Sequence, residues 1–380
     1  MSGLKIGICG GGVGGLCAAV ALRNLGHDPV VFEQAPEFLR VGADINLTPN
    51  AVHALDGLGV GDVLRRSAAR PTHRISRMWD TGEETSRLPL SDAAEERYGA
   101  PQLTLHRADL LKALEAMVPD GKIKLGKSVT GVVNEAEATV IEFADGTTEP
   151  VDVIVGADGI HSSVRSSIFG EDNPKFTGIV SYRAVFPRDK VDALPNLDAF
   201  TKWWGPTPDV QIVTFPLTHG KEIFVFATTP QEGWTQEGWT LAGDVVELRE
   251  AYKDFHPEAR ALLEACTEVT KSALHVREPM SRWSQHHATL LGDAAHPMVP
   301  FMAQGACMAI EDAVVLARAL EGAVRESVPQ ALGTYQTARM ERTADIQSNS
   351  LANEWMKEQG NADWVYGYHA WGVDLSPPAN

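Results

Sequence analysis

The sequence has no surplus of positive charge to offer a phosphate backbone. Its 33 Lys and Arg face 50 Asp and Glu, for a formal charge of -17 and a pI near 5.1, which disfavours a nucleic-acid binder. Cysteine is scarce: Cys9, Cys17, Cys266 and Cys307 show no CxxC spacing and no paired framework, which suits a reducing compartment, with Cys9 and Cys17 expected in the core. No apolar run approaches the roughly 20 residues needed to span a bilayer. Met1 leads straight into KIGICGGG, with one lysine and no cleavage pattern of small residues, so the expected location is cytoplasmic, without a membrane partner. No His/Cys/Asp cluster has the spacing of a metal site, and no metal is expected. Internal repeats and low-complexity tracts are also missing.

What is present is a chain of 380 residues, long enough for one large or two ordinary domains with proper cores. LKIGIC reads as a short buried strand, VGGLCAAVALRNLG as a helix stopped by Gly26, and DPVVFEQ as a second strand, together a βαβ unit. HRADLLKALEAMV has helical spacing; the strand-like segments KIKLGKSVTGVVN and TVIEFADGTTEPVDVIVGADG follow, with a hairpin turn at Asp145-Gly146. Between 176 and 228 the chain reads as turn-separated strands, a sheet of its own. After about 240 the pattern is helical, broken near 290 and resumed over 306 to 358. The expected fold is α/β: a Rossmann-like nucleotide domain with an inserted, mostly antiparallel β-sheet domain for the substrate and C-terminal helices. The divisions are 1-175, 176-270 and 271-380, the first carrying some substrate-side strands.

Gly10-Gly11-Gly12-Val13-Gly14-Gly15 fits GxGxxG between a strand and a helix. Gly10 permits the tight turn, Gly12 lets backbone approach a pyrophosphate, and Gly15 lets helix pack on strand, so that the unpaired N–H groups of the helix face the phosphates. Glu33, 18 residues past Gly15 at the end of the second strand, can accept both hydrogen bonds of a ribose diol. A bare glycine turn is the weaker account of the three features together; NAD or FAD fits. GADGIHSSVR (156 to 165) ends a strand with Asp158-Gly159 and supplies Arg165; by itself a plain Asp-Gly turn explains it as well. GDAAHP (292 to 297) places Asp293 at the C-terminal edge of the strand-like ATLL, where ligands gather in open α/β sheets.

GGGVGG, the Asp-Gly of GADGIHSSVR, the Gly-Asp of GDAAHP and the arginine of HRADL together resemble the single-component FAD-dependent aromatic hydroxylases (group A monooxygenases). The resemblance extends through KWW (202 to 204) to WVYGY (364 to 368) and leans toward the hydroxynicotinate, salicylate and hydroxybenzoate hydroxylases. It implies non-covalent FAD, NADH or NADPH as co-substrate, O2, and a small aromatic substrate. Reduced flavin would add oxygen at C4a, and the distal oxygen of that hydroperoxide would pass to a ring activated by a hydroxyl or amino group, with or without loss of a carboxylate. Asp293 would bind the ribityl chain, Arg107 would lie near the pyrophosphate, and Asp158 would serve both FAD and NAD(P)H. Val13, Gly14, Gln34, Arg40 and Val129 complete the FAD positions. Gly305 and Ala306 would set a helix N-terminus against the flavin N1–C2=O edge, where reduced flavin is anionic, on a loop stiffened by Pro297 and Pro300.

For the ring the candidates are Asn46, the strand-like 209 to 215 with Asp209, Gln211, Val213 and Phe215 on one face, and Val299 and Phe301 in the flavin loop; for Val213 and Phe215 a core role is the better account. The hydroxynicotinate pattern has histidines where this chain has Asn46, Asp209 and Phe301, and a tyrosine at Val213, so this chain departs from it. Asp209 would repel a ring carboxylate unless a cation intervenes, and Arg183 is the candidate cation. His296 is expected to make a structural hydrogen bond. With no second GxGxxG, no separate NAD(P)H domain is expected. The competing reading is an FAD oxidase or dehydrogenase without oxygen transfer; a flavin halogenase lacks its WxWxIP-like segment, and a non-catalytic sensor would leave the pocket loop without use. The aromatic tail WVYGYHAW either packs on its own domain or forms a subunit interface, in a monomer or homodimer.

Overall fold

The computed structural model describes residues 3–38, 44–135, 138–234, 238 and 241–376. Lys5–Cys9 and Asp28–Phe32 are parallel neighbours joined through the helix Val13–Asn24. They belong to a six-stranded sheet ordered Ser284–Gln285, Ala288–Leu290, Val153–Gly156, Lys5–Cys9, Asp28–Phe32, Ile123–Lys124. Every pair in it is parallel except the edge hairpin Ser284–Gln285/Ala288–Leu290. A parallel sheet must be covered on both faces, which explains why Ile6, Ile8, Val153 and Ile154 are inaccessible to solvent. The helix Val13–Asn24 is buried almost all round because its small residues, Gly15, Cys17, Ala18 and Ala21, let the helix Gly305–Ala319 lie against it.

The second sheet has eight strands in the order Leu241–Gly243, Val269–Val276, Lys175–Pro187, Glu222–Pro230, Gln211–Leu217, Phe200–Trp204, His73–Met78, Glu84–Pro89. All its pairs are antiparallel except Phe200–Trp204 with His73–Met78. The sheet is thus built from three separate stretches of chain. The helical reading after 240 holds for Val245–Ala251 and Pro257–Glu264, but Val269–Val276 is a strand, and the division at 270/271 cuts through it. Its run of four buried residues, Lys271 to Leu274, lies between the neighbouring strands Leu241–Gly243 and Lys175–Pro187, a pairing that local periodicity does not record. One face of the sheet, with Tyr182, Trp203, Ile212 and Val225, packs under the two helices. The other, with Phe200, Val213, Phe215, Phe224 and Phe226, meets Val299 and Phe301 of the nucleotide domain. A three-stranded sheet, Thr148–Pro150, Thr139–Phe143, Val129–Asn134, carries the Asp145-Gly146 turn with Gly146 at φ 80°.

The long helix Val328–Ala352 ties the halves together. Gln347 Nε2 donates to Pro297 O (3.0 Å) and Ser350 Oγ to Val299 O (2.6 Å), and beyond its end Ser76 Oγ donates to Met356 O (2.6 Å). The tail packs on its own chain, with Tyr366 buried and Trp371 Nε1 donating to Ala54 O (3.1 Å). All four cysteines are buried and unpaired. Among the described residues no helix is long and apolar enough to cross a membrane.

Candidate active site

The strand-to-helix turn at Gly10 requires φ 109°, and a Cβ there would stand 2.3 Å from Ala157 O. A Cβ on Gly15 would stand 2.0 Å from Gly10 O, and one on Gly14 2.5 Å from Leu291 Cδ2. Gly12 differs: the nearest atom to a Cβ there is Arg107 Nη2, at 3.9 Å. Three glycines therefore serve packing and one opens a space at the helix N-terminus, whose first residue is the buried Val13. Glu33 spans the turn: Gly11 N donates to its Oε2 (2.7 Å) and Ala35 N to its Oε1 (2.8 Å). A carboxylate has about four lone-pair positions, so acceptor capacity remains on the outer side. Gln34 is exposed beside it, and Val129 follows the Lys127 amide that donates to Glu33 O (2.8 Å). Arg40 lies outside the described residues.

Arg107, exposed at the first position of helix Arg107–Glu115, lies across from Gly12. Asp293 occupies a single turn after strand Ala288–Leu290, where Gly292 takes φ 63°. Solvent reaches its carboxylate along the cleft, yet protein surrounds the group closely enough for burial to raise its pKa against the opposing pull of His296 and Arg107. A Cβ on Gly305 would lie 4.0 Å from Asp293 Oδ1, so the carboxylate, Gly305 and Ala306 at the start of helix Gly305–Ala319 share one rim. Asp158 stands behind Gly10 and accepts from Ser162 Oγ (2.5 Å) and Val164 N (3.1 Å), an arrangement that closes the start of helix Ser163–Phe169. Burial raises its pKa despite those bonds. Arg165 is structural: it pairs with Asp172 (2.6 Å) and donates to Ala294 O (3.3 Å).

The Asp293 loop rests on a buried ionic network that the sequence did not announce. His296 Nε2 lies 2.5 Å from Asp312 Oδ2, which also accepts from Gly292 N (3.1 Å). Arg339 bridges Asp312 (2.7 Å) and Glu311 (2.8 Å), with all three side chains inaccessible to solvent. Arg342 adds two bonds to Glu311, and Asn50 Nδ2 joins Glu311 Oε1 (2.6 Å) to Gln304 Oε1 (3.1 Å). His296 thus has the structural hydrogen bond expected of it. The partners come from positions as far apart as 50 and 342, a separation no local pattern records.

Asp293→Ala is expected to weaken FAD binding about 10- to 100-fold, the cost of one lost hydrogen bond to a charged group at ~1.5–3 kcal/mol. The flavin-free protein should melt no lower than wild type at pH 7, because an acid whose folded pKa is raised disfavours the folded state above its unfolded pKa. Flavin fluorescence titration and a melt without flavin check both halves.

On the sheet, one rung of aligned residues runs Arg183, Phe226, Val213, Lys202, Ser76 across five strands. Phe200 stacks on Phe215 (centroids 5.5 Å apart) in the neighbouring rung. Val213 and Phe301 belong to one apolar cluster, so these two ring candidates do come together, in a layer that is also core. Asn46 lies on the short strand Ile45–Leu47 opposite Thr104, whose hydroxyl donates to Pro216 O (2.6 Å), and Gln102 Nε2 donates to Asn46 Oδ1 (2.9 Å). Asp209 does not share the face assigned to it: the strand begins at Gln211, and Asp209 sits in the preceding turn, its carbonyl accepting from Thr228 Oγ1 (2.8 Å). Pro208 beside it cannot donate to a ladder, which starts the strand late. Arg183 lies over Phe226, bonded to Ser272 Oγ (2.7 Å). It faces Asp44, whose carboxyl burial pushes up to about 6 against Arg183, His106 and Arg107. Lys202 and Arg74, which sequence reading passed over, are buried basic side chains on this same face.

Comparison with known proteins gives a consistent assignment. The FAD binding domain family matches residues 4–350. The chain is 39% identical over 378 residues to 6-hydroxynicotinate 3-monooxygenase of Pseudomonas fluorescens, covering 98% of this chain and 97% of that one. It superposes on a salicylate hydroxylase substrate complex with TM-score 0.84 at 25% identity, over 97% and 96% of the two chains. A second solved relative, Klebsiella pneumoniae HpxO complexed with FAD and uric acid, gives TM-score 0.81 at 27% identity over 93% and 88%. By the extent of the family match and of the full-length relative, this chain belongs to the FAD binding domain family.

Proposed function

We propose that the protein is an FAD-dependent aromatic monooxygenase that uses NAD(P)H and O2 to hydroxylate a ring carrying a hydroxyl or amino donor. The observation that carries this reading is continuity: the rim formed by Gly12, Arg107, Asp293 and Gly305 adjoins the loop whose Val299 and Phe301 pack on the aromatic face of the eight-stranded sheet. The residues fit FAD. Arg107 supplies charge for a pyrophosphate beside the open Gly12, Glu33 keeps acceptor capacity for a ribose, and Asp293 offers an acceptor for hydroxyls. The amides at Gly305 and Ala306 begin a helix of 15 residues, whose positive end favours negative charge.

When bound, the flavin supplies hydride acceptance and oxygen activation. The chain's own residues hold it, orient the ring and exclude water. Phe200, Val213, Phe226 and Phe301 provide a dry, flat surface for a ring. Relatives named for 6-hydroxynicotinate, 3-amino-4-hydroxybenzoate and 3-hydroxybenzoate support an activated ring as substrate. Val213 and Phe301 support a less polar pocket than the histidine-rich hydroxynicotinate pattern. A cytoplasmic location and a monomeric or homodimeric state belong to the same reading.

NADH and NADPH oxidation by the purified protein, with and without hydroxylated benzoates, pyridines and neutral phenols, is the test, with hydrogen peroxide and product quantified together. A ring that accelerates oxidation and is recovered hydroxylated with little peroxide is the expected result. No acceleration by any ring, with flavin reduction by a small organic donor instead, would replace the hydroxylase by an oxidase or dehydrogenase. That alternative needs a base at the flavin, and His296 is committed to Asp312.

A further inference from the structure

We propose that Lys202 sets the charge class of the substrate by pairing with a carboxylate on the ring; this rests on the hydroxylase reading. Lys202 is 1% exposed and stands on the face of the sheet that meets Val299 and Phe301, one strand from Val213. Its Nζ lies 3.7 Å from the centre of the Trp204 ring and 6.0 Å from that of Phe301. The hydrogen-bond acceptor it has is Asn353 Oδ1, at 2.5 Å. Among the described residues no carboxylate lies within ion-pair distance, and Arg74 and Lys357 act on it as like charges. Burial, reinforced by these like charges, drives its pKa well down. An ammonium in this position lacks a counter-ion, and a buried charge is tolerated when it is paired.

The surrounding polar atoms point the same way. Arg74 Nε and Nη2, Gln211 Nε2 and Trp204 Nε1, on the same face of the sheet, are buried without a hydrogen-bond partner. Every one is a donor. Among the described residues, what this end of the face lacks is an acceptor carrying negative charge. The opposite end is already supplied, because Arg183 holds Ser272 and faces Asp44. Lys202 and Arg183 sit three strand spacings apart, about 14 Å at ~4.8 Å each, with Val213 and Phe226 between them. The proposal places one aromatic ring over that pair, its carboxylate toward Lys202. Val213 and Phe301, beside Lys202, keep 8% and 7% of their surface exposed, against none for Ile212 at the back of the strand. Asp209, in its turn outside the strand, is no obstacle.

The test is binding to the FAD-loaded enzyme of ortho-, meta- and para-hydroxybenzoate and of the matching hydroxybenzamides, followed by the flavin absorbance change. Wild type is expected to prefer its best acid over the corresponding amide by about 30-fold or more, and Lys202→Met to reduce that ratio to within about threefold while amide binding holds, as removal of a buried charge partner requires. Asn353→Gly removes the protein acceptor but keeps the charge and tolerates the φ of 51° at that position, so it should retain the acid preference. Flavin content and melting temperature of each variant report on folding. The proposal is overturned if Lys202→Met keeps the preference, if Asn353→Gly abolishes it equally, or if wild type does not favour acids, including the case where neither series binds. Ring-stimulated NAD(P)H oxidation with neutral phenols and pyridines judges the hydroxylase reading separately.

Discussion

Arg339→Met is expected to lower folding stability by up to about 3–5 kcal/mol, the cost of removing one partner from a buried ion pair, with Arg342 left to Glu311 and His296 to Asp312. Here two carboxylates, Asp312 and Glu311, lose their shared guanidinium at a site with no solvent access. At ~2 cal/mol/K of unfolding entropy per residue, the melting temperature should fall by roughly 5 °C. Flavin retention should fall with it, because Asp312 also holds Gly292 N and His296 under the Asp293 loop. The pH dependence has a definite sign. Burial by itself would raise the Asp312 carboxyl, but His296 and Arg339 outweigh it and hold the group below the ordinary range. A depressed acid contributes stability that is present above its unfolded value, about 3.9, and is lost as pH falls through the folded value. Without Arg339 the folded value rises, so the acid-induced loss should begin at higher pH in the variant. Melts over pH 3 to 7, numbers set by about those carboxylate values, with flavin absorbance read alongside, measure both effects. Equal melting of variant and wild type would mean that the network contributes nothing net.

Valine at Gly12 and at Gly15 should fail in different ways. At Gly12 the side chain would enter open space facing Arg107, so the protein should fold and lose FAD affinity by about 100-fold or more, the equivalent of ~3 kcal/mol from displaced contacts to a charged pyrophosphate. At Gly15 a Cβ would stand 2.0 Å from the Gly10 carbonyl oxygen. Backbone cannot yield as a flexible side chain can, so that variant should lose the folded nucleotide domain itself. Circular dichroism with flavin titration separates the cases. A Gly12 variant that keeps its flavin would remove the pyrophosphate from this turn.

The glycine turn was legible because its causes are local. A left-handed φ at Gly10, a helix starting at Val13 and the short continuous buried run in Lys5–Cys9 follow from sterics and composition within a few residues. The place of Asp293 just past a strand end was legible for a similar reason, since ATLL and the Gly292-Asp293 turn adjoin in sequence. Lys202 was not. Within KWW it looks like an exposed lysine in a strand, and its isolation depends on Trp204, Phe301 and Asn353 converging from three segments.

By itself, then, the sequence determined the βαβ opening, the positions of the glycine turn and of the Asp293 loop, and the strand-rich character of the stretch from 176 to 228. Each is a property of short windows, where backbone sterics and hydrophobic period act alone. The tertiary structure decided which strands complete the second sheet, that Asp209 stands off its strand, that Glu311 and Asp312 share Arg339 with Arg342 and His296 beside them, and that no carboxylate among the described residues pairs with Lys202. These are consequences of register and topology. Cross-strand alignment brings residue 202 beside 213 and 76, and helix packing brings 312 beside 339, so the charge environment of each group is set by neighbours that are distant along the chain.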